Sequence, residues 1–185
     1  MSEVSGDSRD VVDVLVADHG RIRYLLRQVE GPVRTARRRD LAAAVIAEVK
    51  RHFAIEAHVY AVIERQLPEG ARDRPDGAWV DREERERNIV VAMDRMATLD
   101  VADPEFFEWV SHLEQLFRDH AHDQEDEVFP MWRAGVPAAE LAALRKSVAA
   151  RLEPTGARGR RVNQDPAMPS IPSAPEGTRP SKVSA

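Results

Sequence analysis

Apolar side chains recur every three or four residues along the chain, which is the spacing of one face of an α-helix. The first such run covers residues 10–30 and stops at Gly31-Pro32, a pair that ends helices. The second covers residues 40–66, with Asp40 as its expected N-cap. The apolar positions of these two predicted helices are Val12, Leu15, Val16, Ile22, Leu25, Leu26, Val29, Leu41, Val45, Val49, Phe53, Val59 and Ile63.

The second half of the chain shows the same pattern. Residues 81–99 predict a third helix, and Asp103-Pro104 supplies a cap followed by a proline at the first position of a fourth helix, which carries Pro130 near its end. The alanine-rich residues 137–153 predict a short fifth helix that packs across the others. The apolar positions of the third and fourth helices are Ile89, Val90, Ala92, Met93, Met96, Leu99, Phe106, Val110, Leu113, Leu116, Phe117, Val128 and Met131.

Four amphipathic helices joined by short links predict an all-α fold, an antiparallel up-down four-helix bundle. We assign residues 10–152 to this bundle and the short fifth helix. Residues 153–185 hold half of the prolines of the chain and few large apolar side chains, so we expect a disordered Pro/Ser/Arg-rich tail. The polar residues 1–9 are likewise expected to be disordered.

Composition removes several classes of function. The chain has no cysteine, which excludes disulfides, iron–sulfur clusters and thiolate zinc sites. A net charge of -5, with arginines interspersed among acids, gives no basic surface for nucleic acid. No apolar run reaches the roughly 18 residues of a membrane span, and the first residues do not resemble a signal peptide. We therefore expect a cytoplasmic protein without nucleic-acid or membrane partners.

His52 and Glu56 stand where a buried helix would ordinarily carry apolar side chains. Residues four apart on an α-helix point in nearly the same direction. Both side chains therefore share the face of Val49 and Val59, which is the face predicted to turn into the bundle. A buried carboxylate without a partner costs several kcal/mol, so Glu56 requires a hydrogen bond, an ion pair or a metal ion.

Two further histidines fall on the inward faces of other helices, His19 on the first and His120 on the fourth. A single inward histidine is commonly a hydrogen-bonded core residue. Three of them, one with a carboxylate four residues later, favour a metal centre of nitrogen and oxygen ligands, the ligand set of non-haem iron or manganese. The remaining histidines fall off the apolar rows and are predicted to lie on the surface: His58, His112 and His122.

The segments DVLVADHGRIRYLL, HFAIEAHVYAVI and FRDHAHDQEDEVFPMW resemble the first, second and fourth helices of hemerythrin-like (HHE cation-binding) domains, over about residues 10–135. The resemblance implies a four-helix bundle around a non-haem diiron centre. Family members bind or sense dioxygen, nitric oxide or iron, and some decompose peroxide. By position, the implied ligands are His19, His52, Glu56 and His120.

The chain departs from the family pattern in the third and fourth helices. The third helix of the family brings a histidine three residues before the first core aliphatic residue, where this chain has Glu86 before Ile89. Four residues after His120 stands Gln124, although the five-residue spacing that the family also uses makes Glu125 a candidate ligand. We include Glu86 and Glu125 in the predicted site. The lost histidine either opens a coordination position or weakens the second iron site.

Three functions remain open from the sequence. The first is a diiron protein that binds or senses dioxygen, nitric oxide, peroxide or iron. The second is an enzyme that consumes peroxide on the same centre. The third is a degenerate, metal-free bundle that acts as an interaction module with an unknown protein partner.

Overall fold

A computed structural model describes residues 10–66 and 82–152, and within these ranges every regular element is a helix. The helices are α1 (Val11–Glu30), α2 (Thr35–Ile63), α3 (Arg82–Thr98), α4 (Pro104–Asp123), a π-helical turn (Gln124–Val128), α5 (Phe129–Gly135) and α6 (Ala138–Leu152). The predicted disordered N-terminus and tail lie outside the described residues.

The first helix begins at a reciprocal cap. Asp13 N–H donates to the Asp10 side chain at 3.1 Å, and Asp10 N–H donates to the Asp13 side chain at 3.0 Å. The guanidinium of Arg133, on α5, donates to Asp10 at 3.0 and 3.1 Å and to Asp13 at 2.8 Å. These bonds attach the start of α1 to α5. Helix α4, the π-helical turn and α5 follow one another without a break from Pro104 to Gly135 and together form the fourth rod of the bundle.

The second helix starts earlier than its sequence pattern predicted. It begins at Thr35, so Asp40 lies inside the helix and is not its N-cap. Residues 35–39 are Thr, Ala and three arginines. Because alanine and arginine have high helix propensity, the helix already forms over these residues and does not wait for Asp40. Arg38 further anchors this first turn by donating to the carbonyls of Val29 (3.0 Å) and Gly31 (3.0 Å) at the end of α1.

The fourth helix starts as predicted and is widened in its last third. Asp103 caps it by accepting a hydrogen bond from Glu105 N–H at 2.9 Å, with Pro104 at the first position. The π-helical turn follows, closed by a bond from Phe129 N–H to the carbonyl of Gln124. Proline lacks an N–H and crowds the carbonyl four residues before it, so the widened turn accommodates Pro130 without ending the rod.

The helices form an antiparallel four-helix bundle. Helix α1 packs against α2 and α4, and α3 packs against α4 and α2. Helix α6 packs against α1 and α2 and adds Leu141, Leu144 and Val148 to the core. None of the described helices combines the length and apolar character needed to cross a membrane.

The apolar core is divided into two clusters along the bundle axis. One contains Ile22 and Leu26 of α1 together with side chains of α2, α3 and α4. The other contains Val12 and Leu15 of α1 together with side chains of α2, α5 and α6. His19 lies between these two groups on α1, which places a polar layer between two apolar regions.

Candidate metal centre

The polar layer contains the buried polar and charged side chains of the described residues. None of them is more than 5% exposed, and they are Asp18, His19, His52, Glu56, His120 and Gln124. They come from α1, α2, α4 and the π-helical turn. The inward direction predicted for the three histidines and for Glu56 is therefore present in the structure.

Four of these side chains converge on one point. One donor atom from each of His19, His52, Glu56 and His120 lies within 4.8 Å of all the others. Oε1 of Glu56 is 3.3 Å from Nε2 of His52 and 3.5 Å from Nε2 of His120. The two Nε2 atoms are 3.5 Å apart. Three imidazoles thus surround one carboxylate at distances that a shared cation would bridge.

The donor atoms of this group have unused hydrogen-bonding capacity. Both carboxylate oxygens of Glu56 and Nε2 of His19 are buried without a hydrogen-bond partner. The approach of His52 and His120 to Glu56 is close enough for an ion pair, but it does not have hydrogen-bond geometry. Burying such groups unpaired is strongly unfavourable, whereas a metal ion would satisfy all of them together. The residues present therefore fit a bound cation.

The electrostatics of the group agree with this geometry. Burial, together with the nearby imidazoles of His52 and His120, lowers the pKa of His19 to about 3, so this imidazole is neutral and keeps a lone pair. Burial alone would raise the pKa of Glu56, but His52 and His120 hold it well below its usual range. The lowered pKa keeps Glu56 in the carboxylate form, which is the form that binds a cation.

A second carboxylate lies behind each of two histidines. Glu125 Oε1 is 2.8 Å from Nδ1 of His19 and accepts a further bond from Arg23 at 3.3 Å. Asp18 Oδ2 is 3.9 Å from Nδ1 of His52, while Asp18 Oδ1 accepts from Arg51 at 2.6 Å. A carboxylate at Nδ1 fixes the tautomer and the orientation of the ring, which leaves Nε2 of His19 as its donor atom.

The other two predicted ligands lie outside the group of four. Glu125 contacts the outer side of His19, as described above. Glu86, on α3, accepts from Arg82 at 2.7 Å. Burial and the charge of Glu56 raise the pKa of Glu86, and Glu86 is not among the mutually close donors.

The predicted site did not include Asp18 and Gln124 of this layer, or Tyr60, which is buried beside it. Gln124 Nε2 donates to the hydroxyl of Tyr60 at 3.2 Å. These residues follow His120 and Glu56 by four positions, and Asp18 follows Leu15 by three, so helical periodicity was a signal for all of them.

The histidines predicted at the surface are exposed at positions 112 and 122, while His58 is partly buried and its Nε2 lies 2.9 Å from the hydroxyl of Ser147.

Comparisons with known proteins agree with this arrangement. A family model described as "Hemerythrin HHE cation binding domain" matches residues 10–132. That range contains the four converging side chains and both outer carboxylates. No curated protein and no solved structure matches the chain significantly.

Proposed function

Since the chain belongs to the hemerythrin HHE cation-binding domain family, we propose that it is a non-haem iron protein. His19, His52, Glu56 and His120 hold the metal, and the centre binds or senses a small ligand such as dioxygen, nitric oxide or peroxide. The observation that carries the proposal is Glu56, a fully buried carboxylate with two unpartnered oxygens and three imidazoles around it.

The donor set is compatible with iron. Imidazole nitrogen and carboxylate oxygen without thiolate suit iron and manganese, and such sites with open positions are typical of non-haem iron chemistry. When bound, iron supplies a coordination position for the ligand and the capacity to change oxidation state. Three imidazoles and one carboxylate leave room for such a position in an octahedral sphere.

The protein's own side chains restrict what reaches that position. Phe129 stacks on His19 with ring centroids 5.8 Å apart, and Phe117 meets the edges of His19 and His52, each at 5.8 Å. His52 and Phe53 present a further aromatic contact at 5.9 Å. These walls exclude bulk water and bulky solutes, which supports a diatomic gas or peroxide as the ligand.

The proposal is tested by metal analysis of purified protein loaded anaerobically with ferrous iron. We expect bound iron, and after oxidation a charge-transfer absorption in the near ultraviolet. Glu56→Ala is expected to lower iron affinity at least tenfold, whereas His112→Ala, which removes an exposed histidine of α4, should leave it unchanged. Helical circular dichroism checks that each variant is folded.

A folded wild-type protein that takes up no iron would refute this function and favour the metal-free interaction module. Release of oxygen after adding peroxide, lost in His52→Ala, would instead identify the peroxide-consuming enzyme.

A further inference from the structure

We propose that the centre holds one metal ion and not two, because the ion pair of Arg82 with Glu86 closes the α3 side of the polar layer. This inference rests on the proposed function, since it concerns the number of ions that the same site binds. It differs from the diiron centre that the sequence resemblance implies.

The first argument is the number of donors. The close group consists of four side chains from α1, α2 and α4, and α3 supplies none of them. Dinuclear carboxylate centres in helical bundles draw ligands from all four helices. Four donors around one point complete most of the coordination sphere of a single ion and leave a second ion without its own nitrogen ligands.

The second argument is the state of the acid on α3. Glu86 Oε1 accepts from Nη1 of Arg82 at 2.7 Å, so its negative charge is already compensated. The Arg82 guanidinium also lies over the ring of Tyr60, with its central carbon 4.3 Å from the ring centroid. A second metal ion bound through Glu86 would lie beside this fixed positive charge and would be repelled by it.

The third argument is the polar pair next to the centre. Tyr60 and Gln124 follow Glu56 and His120 by one helical turn on α2 and on the fourth rod. They are bonded to each other at 3.2 Å and are both buried. These side chains are neutral and bonded to each other, so they offer a second cation neither charge nor imidazole.

The experiment measures iron per chain by elemental analysis and native mass spectrometry after anaerobic loading with excess ferrous iron and desalting. The wild-type chain is expected to retain one iron. Arg82→His/Glu86→His places two imidazoles four residues apart on the inner side of α3 and should raise the number of irons bound per chain toward two. The matched control, Glu83→His/Arg87→His, has the same spacing on α3 at exposed positions and should stay at one.

The outcomes separate this inference from the proposed function. Two irons in the wild-type chain overturn the single-ion inference and leave the proposed function intact. No iron in the folded wild-type chain overturns the proposed function itself. If the wild-type chain binds one iron and the folded Arg82→His/Glu86→His variant also stays at one, the Arg82–Glu86 pair is not what excludes the second ion. Should that variant not fold, the wild-type stoichiometry still decides between one ion and two.

Discussion

His19 shows how one side chain of the centre is held from two sides. Its Nδ1 faces Glu125 at 2.8 Å, and its ring lies parallel to Phe129, with 13° between the planes. Only Nε2 is left, buried and without a hydrogen-bond partner. The fold thus fixes the ring so that this nitrogen points at His52, His120 and Glu56. The free Nε2 of this imidazole can bind a cation, and its burial without a partner destabilises the fold when no cation is present.

Replacing His19 with leucine separates these two effects. We expect His19→Leu to stabilise the metal-free protein by up to about 1–2 kcal/mol, because removing the buried, unpartnered Nε2 outweighs the loss of the bond from Nδ1 to the partly exposed Glu125. The same change should weaken iron binding, because one of four donors is lost. Urea unfolding of chelator-treated protein and iron titration measure the two quantities. His112→Leu, at an exposed position, is the control, and a destabilised metal-free His19→Leu protein would contradict the argument.

At the residue scale, the sequence predicted which side chains point into the bundle but not which side chains of different helices contact each other. Helical spacing sufficed to turn His52 and Glu56 inward, since a position on a helix fixes its face. It could not decide whether Glu125 binds a metal or supports His19, because that depends on the separation between α1 and the π-helical turn. The pair of Arg82 with Glu86 was readable from helical spacing, because the two residues are four apart on α3, but the sequence could not show which neighbouring helix this pair would face.

Helix starts and interruptions are where the elements departed from prediction. Apolar periodicity located all the main helices, but Asp40 was chosen as a cap although the preceding arginine-rich residues already form helix. The widened turn at residues 124–128 has no apolar signature, because it is a response to Pro130 and to packing. Local helix propensity thus set the start of α2, whereas Pro130 and packing set the widened turn.

Removing the cap of α1 tests the element scale. Asp10→Ala should lower the free energy of unfolding by about 1 kcal/mol, since it removes the N-cap and the partner of Arg133. Asp40→Ala removes an exposed acid inside α2 and should change little. Urea unfolding at neutral pH measures both, and an equal loss in Asp40→Ala would restore Asp40 as a cap.

The effect of Asp10 should also depend on pH. Burial would raise its pKa, but Arg133 and backbone N–H groups outweigh burial and lower the pKa below its ordinary value of 3.8. A carboxylate with a lowered folded-state pKa stabilises fully above the unfolded-state pKa, and this contribution is lost as pH falls through the folded-state pKa. The difference in the free energy of unfolding between wild type and Asp10→Ala should therefore become smaller below about pH 4.

Residues 10–66 and 82–152, the part of the chain that the structure describes, contain two apolar clusters with a polar layer between them. Such a layer weakens the core of the metal-free protein and strengthens it when a cation joins α1, α2 and α4. Binding to the folded state alone stabilises by RT ln(1 + [L]/Kd), about 2.7 kcal/mol at a hundredfold excess over Kd. Metal binding should therefore govern the stability of the entire bundle.

Thermal unfolding with and without iron tests this coupling. We expect iron to raise the midpoint of the wild-type protein. Leu26→Ala, in the apolar cluster away from the donors, should lower the midpoint through a loss of about 2–5 kcal/mol and keep the same iron-induced increment. Absence of an increment in the wild type would show that the cation does not hold the helices together.

The four converging side chains are synthesised at widely separated times, because they lie far apart in the sequence. His120 is 68 residues after His52, and His19 lies on the first helix. A growing chain on the ribosome contains only part of this set of side chains until its fourth rod has emerged. A cation that needs all four side chains can therefore bind only after the bundle has assembled, and a product that stops before residue 120 lacks one of the four.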